Sequence, residues 1–372
     1  MLRYPEMLEA ALRARGHEVT IVHPPAVAGR LPFLRGGLAK WIRYIDKYLL
    51  APLYLRQEAR SYDVVHICDH SNSMYLRCAG STPHVITCHD LIGVLSARGY
   101  YPEARPGRGG WALQDWIASS LKQSRYVICI SGKTEADLRS VVPECRAKVR
   151  VIPHALNRRF EPARQEEIEQ QKRELHMAPD AQYLLHVGAD VWYKNRLGAM
   201  RIFAELKKLP EFAAMRLVTA GQPWSREMRD FAEASGLRSC MTEVTNVSDA
   251  ALNALYSGAA ALLYPSLAEG FGWPILEAQA CGCAVITTSR APMNEIAGEA
   301  AIYIDPADPV AAATTIAEQW PRRAALREAG LRNAAKFSTE RMIDSYLQVY
   351  EEAVAAGAAA RETQAAVSLH GD

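Results

Sequence analysis

The residues best suited to chemistry are two glutamates, Glu269 and Glu277, which flank a glycine-containing segment. Gly270 and Gly272 permit a tight turn that residues with a Cβ would resist. Pro274 suits the first turn of a helix, and the amides at a helix start attract phosphate. Because a carboxylate repels phosphate, both glutamates are expected to accept hydrogen bonds from hydroxyl groups, which contribute roughly 1.5–3 kcal/mol each. The pattern predicts a site for a nucleotide-activated sugar; the alternative is an ordinary strand–turn–helix with solvated glutamates.

Two elements are predicted to position these glutamates. Residues 259–264 form a short apolar run that is typical of a buried strand, which Pro265 and Ser266 end. A helix is predicted to follow from Pro274 to Ala280. The segment is therefore a strand, a glycine loop and a helix.

A second stretch supplies positive charge near a helix start. Residues 183–187 are predicted to form a buried strand that Gly188 ends, and Lys194 and Arg196 lie where the next helix begins. A fixed cation there would stabilise the negative charge that a nucleotide diphosphate gains as its sugar departs. Lys194 is the predicted cation and Arg196 its predicted assistant. The alternative is that both are exposed cations at a helix end.

Three motifs resemble those of a known family. The spacing of Glu269 and Glu277, with Gly-Phe-Gly between them and Cys281-Gly-Cys283-Ala-Val-Ile-Thr-Thr after them, resembles the E-x7-E signature of retaining glycosyltransferases of family 4, which have the GT-B fold. Residues 188–195 resemble that family's Gly-x5-Lys-Asn segment, and Cys88-His89-Asp90 resembles its Thr-x-His-Asp segment. The resemblance extends over about residues 4–356.

The resemblance implies an α/β chain with two Rossmann-like, doubly wound parallel-sheet domains that face a cleft. The expected divisions are an acceptor-binding domain at residues 1–160, a nucleotide-sugar-binding domain at 161–338, and a helix at 339–356 that crosses back to the first domain. Residues 357–372 are Ala-rich and polar, and we expect them to be disordered.

The resemblance also implies roles for individual residues. His89, Glu269 and Lys194 are the expected catalytic residues. The expected donor-binding residues are Glu277, Gly270, Phe271, Gly272, Trp273, Arg196, Asn246 and Val247. A polar cluster after a predicted strand, where ligands collect in open α/β sheets, supplies candidate acceptor-binding residues Asp69, His70 and Asn72.

The implied reaction is transfer of a hexosyl group, of mannose or glucose type, from a nucleotide-diphosphate sugar to a glycan or lipid-linked acceptor with retention of configuration. The sequence contains no Asp-x-Asp, so we expect no metal and no cofactor beyond the nucleotide-sugar co-substrate. The alternatives are a nucleotide-sugar epimerase of the same fold and a catalytically silent GT-B-like binding protein. A nicotinamide dehydrogenase would need Gly-x-Gly-x-x-Gly after a strand, and the sequence has no such run.

The sequence departs from the family pattern at its beginning. Met1 comes almost at the first predicted helix, whereas the family opens with a strand and a glycine-rich loop, so the first strand is missing. We expect a misassigned or truncated start rather than a genuinely shortened chain. A strand is predicted at residues 19–22.

Composition limits the partners. A net charge of +2 argues against general nucleic-acid binding, and eight scattered cysteines are expected to be buried free thiols in a reducing cytoplasm. Residues 30–60 carry seven basic and two acidic side chains interleaved with aromatic and aliphatic ones. This pattern is compatible with a basic amphipathic helix at a membrane surface, or with a helix that covers the domain with a solvated basic face. We expect a cytoplasmic protein, with peripheral contact to the inner face of the membrane under the first alternative.

Overall fold

A computed structural model describes residues 3–23 and 46–369, with side chains described for 4–23 and 46–362. The chain forms two compact α/β units, one comprising Met1–Pro153 with Thr339–Asp372 and the other His154–Ser338. The described residues of each unit form one parallel sheet, which confirms the predicted fold class of two parallel-sheet domains. The first unit ends at Pro153, whereas residue 160 was the expected boundary.

The described residues of the first unit form four strands in the sheet order β1-β2-β3-β4. The strands are β1 Val65–Ile67, β2 His84–Cys88, β3 Tyr126–Cys129 and β4 Lys148–Val151. Its first helices are α1 Arg3–Ala14, α2 Ala51–Glu58, α3 Ile92–Ala97, α4 Arg108–Leu121 and α5 Gly132–Val141, with a π-helical turn at Asp46–Leu50 and a 3-10 segment at His70–Cys78. Every residue of β3 is buried, as expected for a central parallel strand with helices on both faces.

The second unit contains six parallel strands in the order β10-β9-β8-β5-β6-β7. They are β5 Tyr183–Gly188, β6 Arg216–Gly221, β7 Met241–Thr245, β8 Ala261–Tyr264, β9 Val285–Thr288 and β10 Ile302–Ile304. The helices are α6 Gln165–Glu174, α7 Arg196–Leu206, α8 Arg226–Ala234, α9 Asp249–Gly258, α10 Trp273–Ala280, α11 Met293–Ala297, α12 Pro309–Gln319 and α13 Arg323–Ala334. The strand order reverses between β5 and β8, which pair directly. Such a reversal is where open α/β sheets bind ligands.

The last helix, α14 Thr339–Leu369, returns to the first unit. Its Tyr346 is fully buried there, and the hydroxyl of Tyr4 on α1 donates to the Tyr346 hydroxyl at 2.8 Å. The expected disorder from Gly357 is wrong, because the helix continues to Leu369. The alanines of this stretch, with Arg361 and Glu362, are strong helix formers, and the helix extends from a segment that is already packed.

The predicted strand at residues 19–22 is also wrong, because these residues are irregular in the structure. A β-strand needs a neighbour to satisfy its backbone groups. Among the described strands, β1 pairs with β2, and none pairs with residues 19–22. The apolar sequence pattern alone therefore does not make this segment a strand.

The eight cysteines are free thiols, and each is buried or partly buried. Within the described ranges, no helix combines the length and the apolar character that crossing a membrane requires.

Candidate functional site

The second unit places two predicted site residues at the point where its strand order reverses. Lys194 lies in the turn Trp192–Lys194 that follows β5, and Glu269 lies in the loop that follows β8. Because β5 and β8 are parallel neighbours, the loops after their carboxyl ends lie side by side. The sheet topology therefore brings together two side chains that are far apart in sequence.

Lys194 and Glu269 form an ion pair inside a small polar cluster. The Nζ of Lys194 lies 2.8 Å from Oε1 and 2.9 Å from Oε2 of Glu269, and it donates to the Tyr264 hydroxyl at 2.7 Å. The hydroxyls of Tyr264 and Ser266 each lie 2.6 Å from Oε1 of the same carboxylate. The Lys194 side chain is 16% exposed and that of Glu269 7% exposed, so water screens their interaction only weakly.

A backbone hydrogen bond and a side-chain hydrogen bond tie the two loops to each other. The amide of Leu267 donates to the carbonyl of Tyr193 at 2.7 Å, and Nδ2 of Asn195 donates to the carbonyl of Pro265 at 3.0 Å. Asn195 has a left-handed backbone with φ 51°, and its side chain fills the space where a Cβ on Gly198 would lie. These contacts fix the position of Lys194 relative to the loop of Glu269.

Glu277 is placed by the helix that follows this loop. Gly272, with φ 103°, precedes the first residue of α10, and Pro274 occupies the first turn as predicted. Glu277 is 9% exposed, and its Oε2 accepts a hydrogen bond of 2.7 Å from the Tyr256 hydroxyl on α9. The predicted arrangement of strand, glycine loop and helix is confirmed.

The aromatic side chains of the glycine loop pack into the second unit. The Trp273 ring stacks on His154 with centroids 4.8 Å apart, and its Nε1 donates to the carbonyl of Ala155 at 3.2 Å. Phe271 is 3% exposed and meets the His154 ring edge-on at 5.5 Å. These two side chains therefore anchor the loop, and their donor-binding role stays a prediction.

The remaining predicted donor residues contact or lie in the loops after β6 and β7. The guanidinium of Arg196 is 2% exposed and donates to the carbonyl of Gln222 at 2.8 Å, so it holds the loop after β6. Asn246, with φ 53°, and Val247 follow β7, the strand at the edge of the sheet. Their donor-binding role stays a prediction.

In the first unit, His89 follows β2, and its ring has a defined environment. Its Nε2 lies 2.7 Å from the carbonyl oxygen of Cys68, and the ring meets Tyr4 edge-on at 4.9 Å. A carbonyl can only accept, so Nε2 carries the proton. Burial lowers the pKa of His89, against the opposing effect of this hydrogen bond, and the ring is neutral at pH 7.

The candidate acceptor residues lie after β1. Asp69 caps the 3-10 segment that begins at His70, because its Oδ1 accepts from the Ser71 amide at 2.7 Å. Burial alone would raise the pKa of Asp69, but the His70 ring and the Ser71 bonds lower it. Asn72 lies at a kink in this segment. The Asp69 carboxylate thus has a local structural role, and acceptor binding stays a prediction.

Sequence reasoning missed Tyr256 and Tyr264, which contact the two glutamates directly. Tyr264 is the last residue of a buried strand, and Tyr256 lies on the inward face of an amphipathic helix. Both positions are typical of core residues, so the type and spacing of these tyrosines gave no chemical signal. Across the described residues, no group of three or more histidine, cysteine or acidic side chains could hold a metal ion.

Comparison with known proteins identifies both halves of the chain. A family model described as Glycosyltransferase Family 4 matches residues 3–160, and one described as Glycosyl transferases group 1 matches residues 167–333. O-antigen chain mannosyltransferase B of Escherichia coli is 25% identical over 276 residues, which are 72% of this chain and 70% of that protein. A D-inositol 3-phosphate glycosyltransferase of Geodermatophilus obscurus is 27% identical over 332 residues, 83% of this chain and 71% of that protein.

Solved structures agree on the fold. Sucrose-phosphate synthase from Thermosynechococcus elongatus matches with a TM-score of 0.73 at 21% identity, covering 95% of this chain and 93% of that one. A likeness at this identity shows the fold, which is the GT-B type of two parallel-sheet α/β domains. With both halves of the chain matched by models of one enzyme family, the protein belongs to the group 1 glycosyltransferases of glycosyltransferase family 4.

Proposed function

We propose that this glycosyltransferase moves a hexosyl group, of mannose or glucose type, from a nucleotide-diphosphate sugar to a glycan or lipid-linked acceptor, with retention of configuration. The observation that carries the proposal is the cluster of Lys194, Glu269 and Tyr264 at the strand-order reversal, followed by Glu277 on α10. It combines one cation with two carboxylates beside the start of a helix. This set suits a ligand with both phosphate and hydroxyl groups.

In the proposal, Lys194 and the amides of residues 270–273 bind the diphosphate. Lys194 would stabilise the charge that builds up on the leaving group, without a metal ion. Glu269 would accept a hydrogen bond from a sugar hydroxyl and Glu277 from the ribose hydroxyls, while the backbone at Asn246 and Val247 would contact the base. His89 would orient the sugar as a neutral ring, and Asp69, His70 and Asn72 would contact the acceptor.

The family resemblance implies retention, and the surroundings of Glu269 favour a route to it without a covalent intermediate on this carboxylate. Its carboxylate already accepts from Lys194, Tyr264 and Ser266, which makes it a poor nucleophile toward the anomeric carbon. The acceptor hydroxyl would then attack from the face that the diphosphate leaves. The bond from the anomeric carbon to phosphate breaks, the bond to the acceptor oxygen forms, and the acceptor proton passes to the leaving diphosphate.

The names of the relatives support the choice of substrates. One acts as a mannosyltransferase on an O-antigen chain and the other on D-inositol 3-phosphate. A glycan acceptor and a mannosyl donor are therefore the first substrates to test, in polysaccharide biosynthesis on the cytoplasmic side of a membrane.

Peripheral membrane contact belongs to the same proposal. Of the basic segment 30–60, residues 30–45 lie outside the described ranges, and residues 46–60 expose Leu49 at 61% and Leu53 at 66% beside Lys47 and Arg56. Apolar side chains with a basic rim suit an anionic lipid surface. Sedimentation with phosphatidylglycerol vesicles should deplete the wild type, and Leu49→Asp with Leu53→Asp should abolish the depletion. Equal sedimentation of wild type and variant would refute the contact.

A thermal-shift screen against UDP-, GDP- and ADP-sugars tests the donor. A ligand that binds only the native state raises Tm. At a hundredfold excess over Kd, it raises the free energy of unfolding by about 2.7 kcal/mol. One nucleotide series should shift the wild type, and Glu277→Ala should lose most of that shift. Product analysis of the selected donor with and without acceptor then distinguishes transfer from epimerisation. If no nucleotide sugar shifts Tm, the proposal fails.

A further inference from the structure

Each of the two glutamates that carry the proposed donor site accepts a hydrogen bond from a buried tyrosine. The Tyr256 hydroxyl donates to Oε2 of Glu277 at 2.7 Å, and the Tyr264 hydroxyl donates to Oε1 of Glu269 at 2.6 Å. Both tyrosines are 0% exposed. Two independent elements, α9 and β8, thus deliver the same chemical contact to the two carboxylates.

The two phenol rings are held by packing, so their hydroxyls have fixed positions. Tyr256 meets the Phe160 ring edge-on with centroids 5.8 Å apart. Tyr264 lies over the His186 ring at 6.3 Å, with the two planes 28° apart. A hydroxyl on an immobile ring restricts the rotation of the carboxylate that accepts from it, which reduces the entropy lost when a ligand binds.

The tyrosines remain donors over the working range of pH. Burial, followed by the charge of Glu277, holds the pKa of Tyr256 well above its ordinary value. Burial and then Glu269 do the same for the pKa of Tyr264. A neutral phenol beside a carboxylate donates its proton in a charge-assisted hydrogen bond, which is stronger than a neutral one.

We infer that Tyr256 and Tyr264 are positioning residues of the donor site, which orient Glu277 toward the ribose hydroxyls and Glu269 toward the sugar hydroxyls. The inference rests on the proposed function. Tyr264 has a second positioning role, because Lys194 also donates to its hydroxyl. One phenol therefore orients both the cation and the carboxylate. A ring without the hydroxyl would leave the packing intact and remove one of the hydrogen bonds that orient each carboxylate.

The chain offers a matched control for this idea. Tyr183 is 1% exposed, and its hydroxyl donates to the backbone carbonyl of Leu255 at 2.8 Å, one residue before Tyr256. Tyr183→Phe therefore removes a buried phenol hydrogen bond of similar length from the same region, with both glutamates keeping their partners. Any general loss of stability should appear equally in this variant.

The test for Tyr256 uses UDP, GDP or ADP, whichever the thermal-shift screen selects, and its 2′,3′-dideoxy form as the matched ligand. Titration calorimetry gives the ratio of the two Kd values, which isolates recognition of the ribose hydroxyls. Wild type should prefer the ribonucleotide by about tenfold or more, as a hydrogen bond to a charged group provides. Tyr256→Phe should reduce this preference to about threefold or less, and Tyr183→Phe should keep it.

The test for Tyr264 compares Kd for the nucleotide sugar with Kd for the nucleoside diphosphate. The ratio of Kd for the nucleoside diphosphate to Kd for the nucleotide sugar reports recognition of the sugar, and it should fall in Tyr264→Phe by about threefold or more. The preference for the ribonucleotide over its dideoxy form should stay unchanged in this variant. Tyr256→Phe should show the opposite pattern. A role in stability alone would lower Tm and leave both ratios as in wild type, and that result would overturn the inference.

Two further variants separate this inference from the proposed function. If Glu277→Ala loses the ribose preference while Tyr256→Phe keeps it, the positioning role is refuted and the donor site stands. If Glu277→Ala keeps the preference, the proposed role of Glu277 fails and the inference fails with it. Glu277→Asp retains the charge but withdraws the carboxylate by one methylene from both the Tyr256 hydroxyl and the ribose, so it should lose the ribose preference, and a preserved preference would refute the proposed role of Glu277.

Discussion

His89 shows how the surroundings of one side chain determine what it can do. Its Nε2 donates to the Cys68 carbonyl, and burial lowers its pKa, so the ring is neutral near pH 7. A neutral imidazole can orient a sugar through hydrogen bonds, but it carries no proton to spare as a general acid. The family resemblance indicated His89 as a candidate, but its tautomer could be assigned only from the structure.

We expect His89→Ala to lower turnover by roughly tenfold to a hundredfold, the usual cost of a misplaced substrate group. KM for the donor should change by less than about twofold, because the proposed contacts with the nucleotide lie in the other unit. Release of nucleoside diphosphate from the selected nucleotide sugar measures both constants. The control is His84→Ala at the opposite end of β2, where the ring lies 3.2 Å from the Thr82 carbonyl. Similar losses in both variants would remove His89 from the site.

His66 on β1 is a buried histidine with two hydrogen-bond partners. Its Nδ1 lies 2.7 Å from the Tyr350 hydroxyl of α14, and its Nε2 lies 2.8 Å from Oγ1 of Thr87. Burial, with a smaller effect of His89, lowers the pKa of His66 to about 3. This ring therefore contributes to stability only while it is neutral.

Because the pKa of His66 is lower in the folded than in the unfolded state, acid should destabilise the protein. The unfolded state takes up a proton as pH falls through about 6.5, and the folded state does not until about pH 3. The free energy of unfolding should thus fall by about 1.4 kcal/mol per pH unit below 6.5 from this residue. Urea unfolding at pH 7 and pH 5 measures it. His66→Asn should reduce the slope by that amount; an unchanged slope would contradict the assignment.

Among the secondary-structure elements, β5 and β6 depend on a close approach at their carboxyl ends. Gly188 and Gly221 are partners in the parallel pairing. A Cβ on Gly221 would lie 2.1 Å from the carbonyl oxygen of Gly188, and the φ of Gly221 is +148°. The backbone fixes the position of a Cβ, so no rotamer relieves this clash. A side chain at Gly221 must therefore move β6 away from β5, the strand that precedes the turn of Lys194.

Gly221→Ala should therefore lower the free energy of unfolding by about 3 kcal/mol or more, from overpacking and backbone strain together. Gly236→Ala provides the control, since Gly236 also has a positive φ, +69°, but a Cβ added there would have no neighbouring atom within 4 Å. That variant should lose about 1–2 kcal/mol from strain alone. Urea unfolding of both variants compares them, and equal losses would show that the contact with Gly188 is unimportant.

Strand and helix order could be predicted from the sequence because apolar runs and glycines mark most elements. The run before Pro265 is β8, and Pro274 lies in the first turn of α10. Contacts between distant elements could not be predicted in this way. Tyr256 has the sequence pattern of a core residue, and only the fold shows that its hydroxyl contacts Glu277. Composition was misleading for the tail beyond Gly357, where local polarity suggested disorder and helix propensity prevailed.

At the scale of the whole molecule, the two units differ in how the chain builds them. The second unit is one continuous segment, His154–Ser338, and contains all the predicted donor residues. The first unit is assembled from Met1–Pro153 and from the chain end that begins at Thr339. Its core therefore depends on residues separated by the entire second unit.

A chain that ends at Ser338 should lose the first unit and keep the second. It lacks the buried α14 side chains Met342, Ile343, Tyr346 and Val349, which at about 1.5–3 kcal/mol each approach the whole stability of a domain. Calorimetry of the truncated chain should show the unfolding transition of the second unit alone, whereas the full chain should show the unfolding enthalpy of both units. The selected nucleotide should still raise Tm, because its proposed contacts all lie in His154–Ser338.

A chain that ends at residue 362 is the control for this truncation, since it retains every buried side chain described in α14. It should unfold like the full protein. If the shorter chain also kept a folded first unit, seen as protected amides in β2 and β3, α14 would be a surface addition and not part of the core. If it folded in the second unit but no longer bound the nucleotide, the donor site would require residues outside His154–Ser338, and the assignment of Lys194, Glu269 and Glu277 as its main contacts would be wrong.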